Sequence, residues 1–425
     1  MMPSMRRIGP VLFLLLLSQC LNGASTRGPG AEAGAHAYTW DLEFDYVTWL
    51  ADASLLKLGQ AALGAERYMD EAAQRELVLE TVALIQEIQN AEGQLSALHA
   101  DPDQQRVAEQ IAEINARLDE LYRQRSRLGP LAESILQTQI SAVLADQGFT
   151  VLGQPLPPLL FHSTPLPWAL IASPRDHIAQ AANISLRTEL TLEEHIALED
   201  EVAKGLNLST LVVPVGGIGV YPTMVAQSSN LNWLIEVSAH EWAHNYLTLR
   251  PLGLLYFQNQ DLTTMNETAA NIVGKEMSEA VIGRYYPELL PPPPAPVSVE
   301  APDAAGPPVA PVFDFRSEMH ATRVRVDALL AEGNIDEAEA YMEAQRLFFW
   351  DQGYAIRKLN QAYFAFYGSY ADTPLGPAGE DPVGASVREL RARSASLIDF
   401  VNRMAWLTSF EDLQKVLAEE QVNSD

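Results

Sequence analysis

His240 and His244 stand four positions apart with a carboxylate beside the first, in the run His240-Glu241-Trp242-Ala243-His244. At 3.6 residues per turn, two side chains with this spacing leave a helix on one face. Two imidazoles so placed can hold one metal ion, and Glu241 can then reach water at that ion and take its proton. With eight histidines in 425 residues, this pattern arises by chance in roughly one such chain in a hundred. The chemistry needs the run to lie on a buried helix, and the flanking sequence supplies one. Ser228-Ser229-Asn230 offers capping side chains, and Leu231, Leu234, Ile235, Ala239 and Trp242 give the segment apolar surface up to about Leu249.

Two histidines do not complete a catalytic zinc site, which takes three protein ligands and keeps one position open. One common arrangement places a third histidine six residues beyond the second, with a glycine midway. Here Arg250 and Leu247 occupy those positions, so that arrangement is excluded. The next helix, predicted from about Thr263 to Ile282, carries Asn266-Glu267-Thr268-Ala269-Ala270-Asn271, and Glu267 can return to the histidines as a third ligand.

These two segments together resemble the gluzincins, the thermolysin-like and aminopeptidase-like zinc peptidases, over about 60 residues from Gly217 to Lys275. The resemblance implies a zincin-like core of a small mixed sheet and an active-site helix. It implies one Zn2+ on His240, His244 and Glu267, with Glu241 as general base in peptide-bond hydrolysis. Asn271 stands where that clan has an aspartate that orients a ligand histidine, so the partner there is an uncharged amide. Zinc lowers the pKa of its bound water towards about 7 and polarises the scissile carbonyl, while Glu241 carries the proton to the leaving amine. A second electrophile for the tetrahedral intermediate is sought in the aromatic segment Asn360–Tyr370, with Tyr370 as the candidate. Lone histidines such as His162 and His195 read as surface or satisfied core residues.

The elements around this centre are mostly helical, giving a predominantly helical α+β chain. Leu77, Thr81, Leu84, Ile88, Ala91, Leu95 and Leu98 alternate spacings of four and three. Val107, Ile111, Ile114, Leu118, Leu121 and Leu128 keep the same rhythm. This coiled-coil seam predicts an antiparallel hairpin within residues 37–147, turning at Asp101-Pro102 and breaking at Gly129-Pro130. Phe44, Val47, Ala51, Leu55 and Leu58 form an apolar stripe on a helix before it. The catalytic region is expected at 148–286. Short apolar runs at 149–152, 159–161, 169–172 and 211–215 read as strands, and a helix opens at Thr191. Gly219–Val225 contains Pro222 and reads as an edge strand, where an extended peptide can pair. A Pro-rich loop or linker at 287–312 precedes a C-terminal helical domain at 313–425.

Hydrophobic content of 48% excludes a largely disordered chain, and a net charge of -27 excludes a nucleic-acid partner. Arg6 and Arg7 precede the apolar run Ile8–Leu17, which is short for a membrane span and reads as an export signal over residues 1–21. Cys20, the only cysteine, matches a lipoprotein signal, although Gln19 departs from the small residue expected before it. An ordinary signal cleaved near Ala24 is the alternative. Either places the mature chain outside the cytoplasm, secreted or anchored through Cys20, with residues 22–36 as a flexible tether. The competing functional reading is an extracytoplasmic scaffold in which the hairpin binds a protein partner and the zinc site is structural or vestigial.

Overall fold

The computed structural model describes residues 30–99, 104–151, 153–290, 313–354, 356–368 and 382–424. The export signal, Cys20, the Asp101-Pro102 turn, most of the Pro-rich segment and Tyr370 lie outside these residues. Helices run at α1 (Ala31–Thr39), α2 (Tyr46–Leu63), α3 (Glu71–His99) and α4 (Gln104–Asp146). Strands β1 (Phe161–Ser163), β2 (Trp168–Pro174) and β3 (Ala182–Leu186) lead into α5 (Leu192–Leu206), then β4 (Leu208–Pro214), β5 (Gly217–Ile218) and β6 (Thr223–Val225). Helices α6 (Leu231–Leu247), α7 (Pro251–Leu254) and α8 (Gln260–Tyr285) follow, then α9 (Phe315–Ala331), α10 (Ile335–Asp351) and α11 (Gln361–Tyr367). The chain closes with α12 (Pro382–Arg393), α13 (Leu397–Ala405) and α14 (Phe410–Ser424). The class is α+β and predominantly helical. No described helix is long and apolar enough to cross a membrane.

The strands form two three-stranded sheets. The antiparallel sheet β3-β2-β4 is covered on both faces, as its alternation dictates. Leu170, Ile184, Leu186 and Val212 pack with Ala35 of α1 and Leu198 and Val202 of α5, while Ala169, Ile171, Leu211 and Val213 pack with Ala362 and Phe366 of α11. The mixed sheet β1-β6-β5 lies beside α6, with β6 parallel to β1 and antiparallel to β5. The segment expected at an edge therefore ends in the central strand. Pro222 sits just before β6 and withholds no ladder donor from it, so the edge falls to β5.

Helices α6 and α8 lie in the largest core, with the base of the hairpin and α12–α14 around them. Residues 313–425 are divided: α12–α14 join this core, whereas α9 and α10 close a separate apolar cluster around Met319, Val326, Met342 and Phe349. The hairpin is antiparallel as predicted. Val78 and Ala132 sit together in the main core, and Ile88, Ala91, Leu118 and Leu121 meet further out.

Three further expectations are corrected. The tether does not extend to residue 36, because Ala31–Thr39 is helical and packs on β3 and α5. Its small residues permit close docking: a Cβ on Gly34 would lie 2.9 Å from a Leu206 methyl. Helix α4 does not break at Gly129-Pro130. An interior proline costs about 3 kcal/mol, and burial of Ala132, Ile135, Leu136 and Ile140 beyond it outweighs that. The apolar stripe of α2 faces outward, with Val47, Leu55 and Leu58 exposed at 80%, 68% and 63%. A buried ion pair sets that rotation: Lys57 Nζ lies 2.7 Å from Glu133 Oε2 of α4, and both residues are buried.

Burial alone raises the Glu133 carboxyl. The Lys57 ammonium, then the hydrogen bond from His162, outweigh it and hold the group down at about 2. Removing one charge of such a pair strands the other, so Lys57→Met is expected to lose about 3 to 5 kcal/mol in urea unfolding. Because the folded pKa is depressed, Glu133 stabilises the chain fully above the usual carboxylate range, and the contribution disappears as pH falls towards about 2. The urea-midpoint gap between wild type and Glu133→Gln is therefore expected to close over that acid range.

Candidate metal centre

Local capping fixes where each ligand helix begins. Asn230 accepts a hydrogen bond from Trp233 N at the start of α6, and Asn259 accepts from Leu262 N at the start of α8. Ser278 Oγ then donates to Asn232 O, tying α8 to the first turn of α6. Gly274 permits the close crossing. A Cβ there would lie 2.7 Å from Glu236 O and 3.2 Å from His240 Cβ.

This packing brings three ligand atoms together. His240 Nε2 and His244 Nε2 are 3.0 Å apart, and Glu267 Oε2 lies 3.4 Å from the first and 3.5 Å from the second. Donors at 2.0–2.1 Å from one tetrahedral ion lie about 3.3 Å apart, so the triangle is of a size that could hold one metal ion. The three residues form the group able to hold a metal among the described residues. Glu267 Oε2 is buried without a hydrogen-bond partner, the state of an acceptor reserved for a cation.

The surrounding residues orient this set. Asn266 Oδ1 lies 2.8 Å from His244 Nδ1, which leaves Nε2 as the ligand atom, and Asn266 Nδ2 donates to Leu252 O at 3.2 Å. The amide turning His244 belongs to the residue before the ligand glutamate, and Asn271 is half-buried one turn further along α8. Tyr256 donates its hydroxyl to Glu267 Oε1, occupying one carboxylate oxygen and leaving Oε2 for the ion. Sequence spacing did not single out Asn266 or Tyr256 in these roles. Asn266 adjoins the ligand glutamate and so was within reach of the motif, but Tyr256 sits on the connection between α7 and α8 and carries no pattern.

Glu241 occupies a separate niche. Its carboxylate lies against the backbone of β5, where a Cβ on Gly217 would fall 2.6 Å from Oε1 and one on Gly219 would fall 3.3 Å from Oε2. A side chain at 217 would have to displace Glu241 or Val237. Burial pushes the Glu241 carboxyl up, and the two histidines pull against it. Burial also lowers His244, but the Glu267 carboxylate outweighs that and raises the imidazole to about 9. For Glu267 burial raises the carboxyl, and His244 and His240 bring it well below the usual range. Metal binding by such a set requires neutral imidazoles and an ionised carboxylate, so it is coupled to proton release.

The aromatic segment of α11 does not reach this centre in the described residues. Tyr363 and Tyr367 pack with Phe366 against β2 and β4. His195 rests edge-on against Trp168, and His162 is bound to Glu133. Comparison of the chain with protein-family models, with curated proteins and with solved structures finds no match in any of the three.

Asn266→Ala is expected to weaken metal binding about 10- to 100-fold through loss of the His244 orientation, read by competition with a chelating indicator. Glu267→Ala is expected to abolish stoichiometric binding in the same titration. Gly217→Val is expected to leave binding in place while displacing the Glu241 side chain.

Proposed function

We propose that the chain is a zinc-dependent peptidase of the gluzincin type. The observation that carries this reading is the triangle of His240, His244 and Glu267 with Glu241 buried beside it against a sheet edge. A zinc ion held there supplies Lewis-acid polarisation of the scissile carbonyl and acidification of water. Glu241 takes the proton of the attacking water and returns it to the leaving amine, and its burial favours a carboxyl that holds that proton in transit. Strand β5, at the free edge of its sheet and against Glu241, offers backbone groups to an extended peptide. Asn266 and Tyr256 hold His244 and Glu267 in place.

The ligand count speaks against a purely structural ion. Structural zinc sites are closed by four protein ligands, and the described residues bring three. The export-signal reading of residues 1–21 belongs to the same proposal and places the peptidase outside the cytoplasm, free or lipid-anchored.

Glu241→Gln is expected to retain one zinc per chain while cleavage of a peptide library falls by about 10²- to 10⁴-fold. Unchanged cleavage by this variant, or cleavage by metal-free protein, contradicts the proposal.

A further inference from the structure

A second recess lies away from the metal centre, between the base of the hairpin and the β1 edge of the mixed sheet. It encloses about 290 Å³, near the lower end of small-molecule sites, which span roughly 300–1,000 Å³. Val82, Leu136, Phe161 and Leu234 give it apolar walls drawn from α3, α4, β1 and α6. Polar residues line it as well, among them Thr81, Arg125, Glu133, His162 and Gln227. His162 lines it with Nδ1 committed to Glu133 at 3.0 Å, so Nε2 is the ring atom left for a ligand. Arg125 lines it from α4.

Arg125 is the informative residue. The chain has 55 Asp and Glu against 28 Lys and Arg, so a guanidinium has many carboxylates to choose from. Arg125 pairs with none among the described residues. Its Nη1 donates to the neutral Gln227 Oε1 at 2.8 Å, and the guanidinium stacks over Tyr122. The carboxylate that shares the recess, Glu133, is already satisfied by Lys57 Nζ, His162 Nδ1 and Ser163 N. Its charge is balanced by Lys57, which leaves Arg125 as the uncompensated charge at an apolar recess.

We propose that this recess binds a small carboxylic acid with an apolar tail, the carboxylate on Arg125 and the tail against Val82, Leu136 and Phe161. A forked guanidinium suits a carboxylate in two-point contact, and Val82, Leu136, Phe161 and Leu234 offer apolar contact to a tail. Two sources share this chemistry: a free alkyl acid and the C-terminal residue of an apolar peptide. The site is independent of the metal centre, so it stands or falls apart from the proposed peptidase activity.

Isothermal titration of the full chain with octanoate, octan-1-ol and N-acetyl-leucine tests it. Octanoate is expected to bind one per chain, about tenfold or more tighter than octan-1-ol, the difference being a charge-assisted contact. Arg125→Gln should erase that advantage and leave octan-1-ol unchanged. Gly129 faces open space, with nothing within 4 Å of an added Cβ. Gly129→Leu from α4, or Val82→Trp from α3 should the first fail to fold, is expected to remove binding of both ligands while circular dichroism stays that of wild type. Competition by N-acetyl-leucine assigns the site to peptide C-termini, and its failure to compete assigns it to free alkyl acids. Absence of saturable octanoate binding, or octanoate binding indifferent to Arg125→Gln and to the filled recess, overturns the proposal.

Discussion

The close crossing of α6 and α8 governs the remainder of the structure, because it alone brings a carboxylate oxygen to two imidazoles. Glu267 Oε2 lies 3.4 and 3.5 Å from the two Nε2 atoms and is buried without a hydrogen-bond partner. Such burial of a charged acceptor is costly unless a cation answers it. The contact depends on Gly274, on the Ser278 bond to Asn232, and on apolar residues that bury α8 on all sides. Much of the main core, including the base of the hairpin and α12–α14, serves to hold these two helices in register.

A second constraint operates on the other side of α6. Gly217 of β5 approaches Glu241 so closely that an added Cβ would fall 2.6 Å from Oε1, and a side chain there would displace Glu241 or Val237. The proposed base therefore lies against main chain that carries no side chain at 217 or 219. The sheet bearing β5 is in turn fixed to α4 through β1, where Ser163 N and His162 both bond Glu133. Thus the ion pair that orients α2 also anchors the far edge of the sheet beside the proposed catalytic residue.

The ligand set was legible in the sequence because it depends on spacing within helices. His240 and His244 share a face by periodicity, and Glu267 needed only a following helix. Asn266 and Tyr256 were not legible in their roles, since each depends on how one helix is rotated against another. The glycines at 217 and 219 carry the same signal as any turn glycine, and only the position of Glu241 gives them meaning. Hairpin, the helix opening at Thr191 and the strands at 169–172 and 211–215 followed from local pattern. Composition misled at residues 31–36, where small residues that suit a tether also suit tight helix packing. Periodicity misled at α2, where Lys57 and Glu133 turn the polar side inward and the apolar stripe outward.

The proposed peptidase chemistry requires one ion held by two imidazoles and one carboxylate oxygen, with a position left open. X-ray absorption at the zinc edge on zinc-loaded protein examines that arrangement directly. Four light-atom neighbours at about 2.0–2.1 Å, with the multiple scattering of two imidazole rings, is the expected spectrum. A shell of six oxygens, or one lacking imidazole scattering, would contradict it.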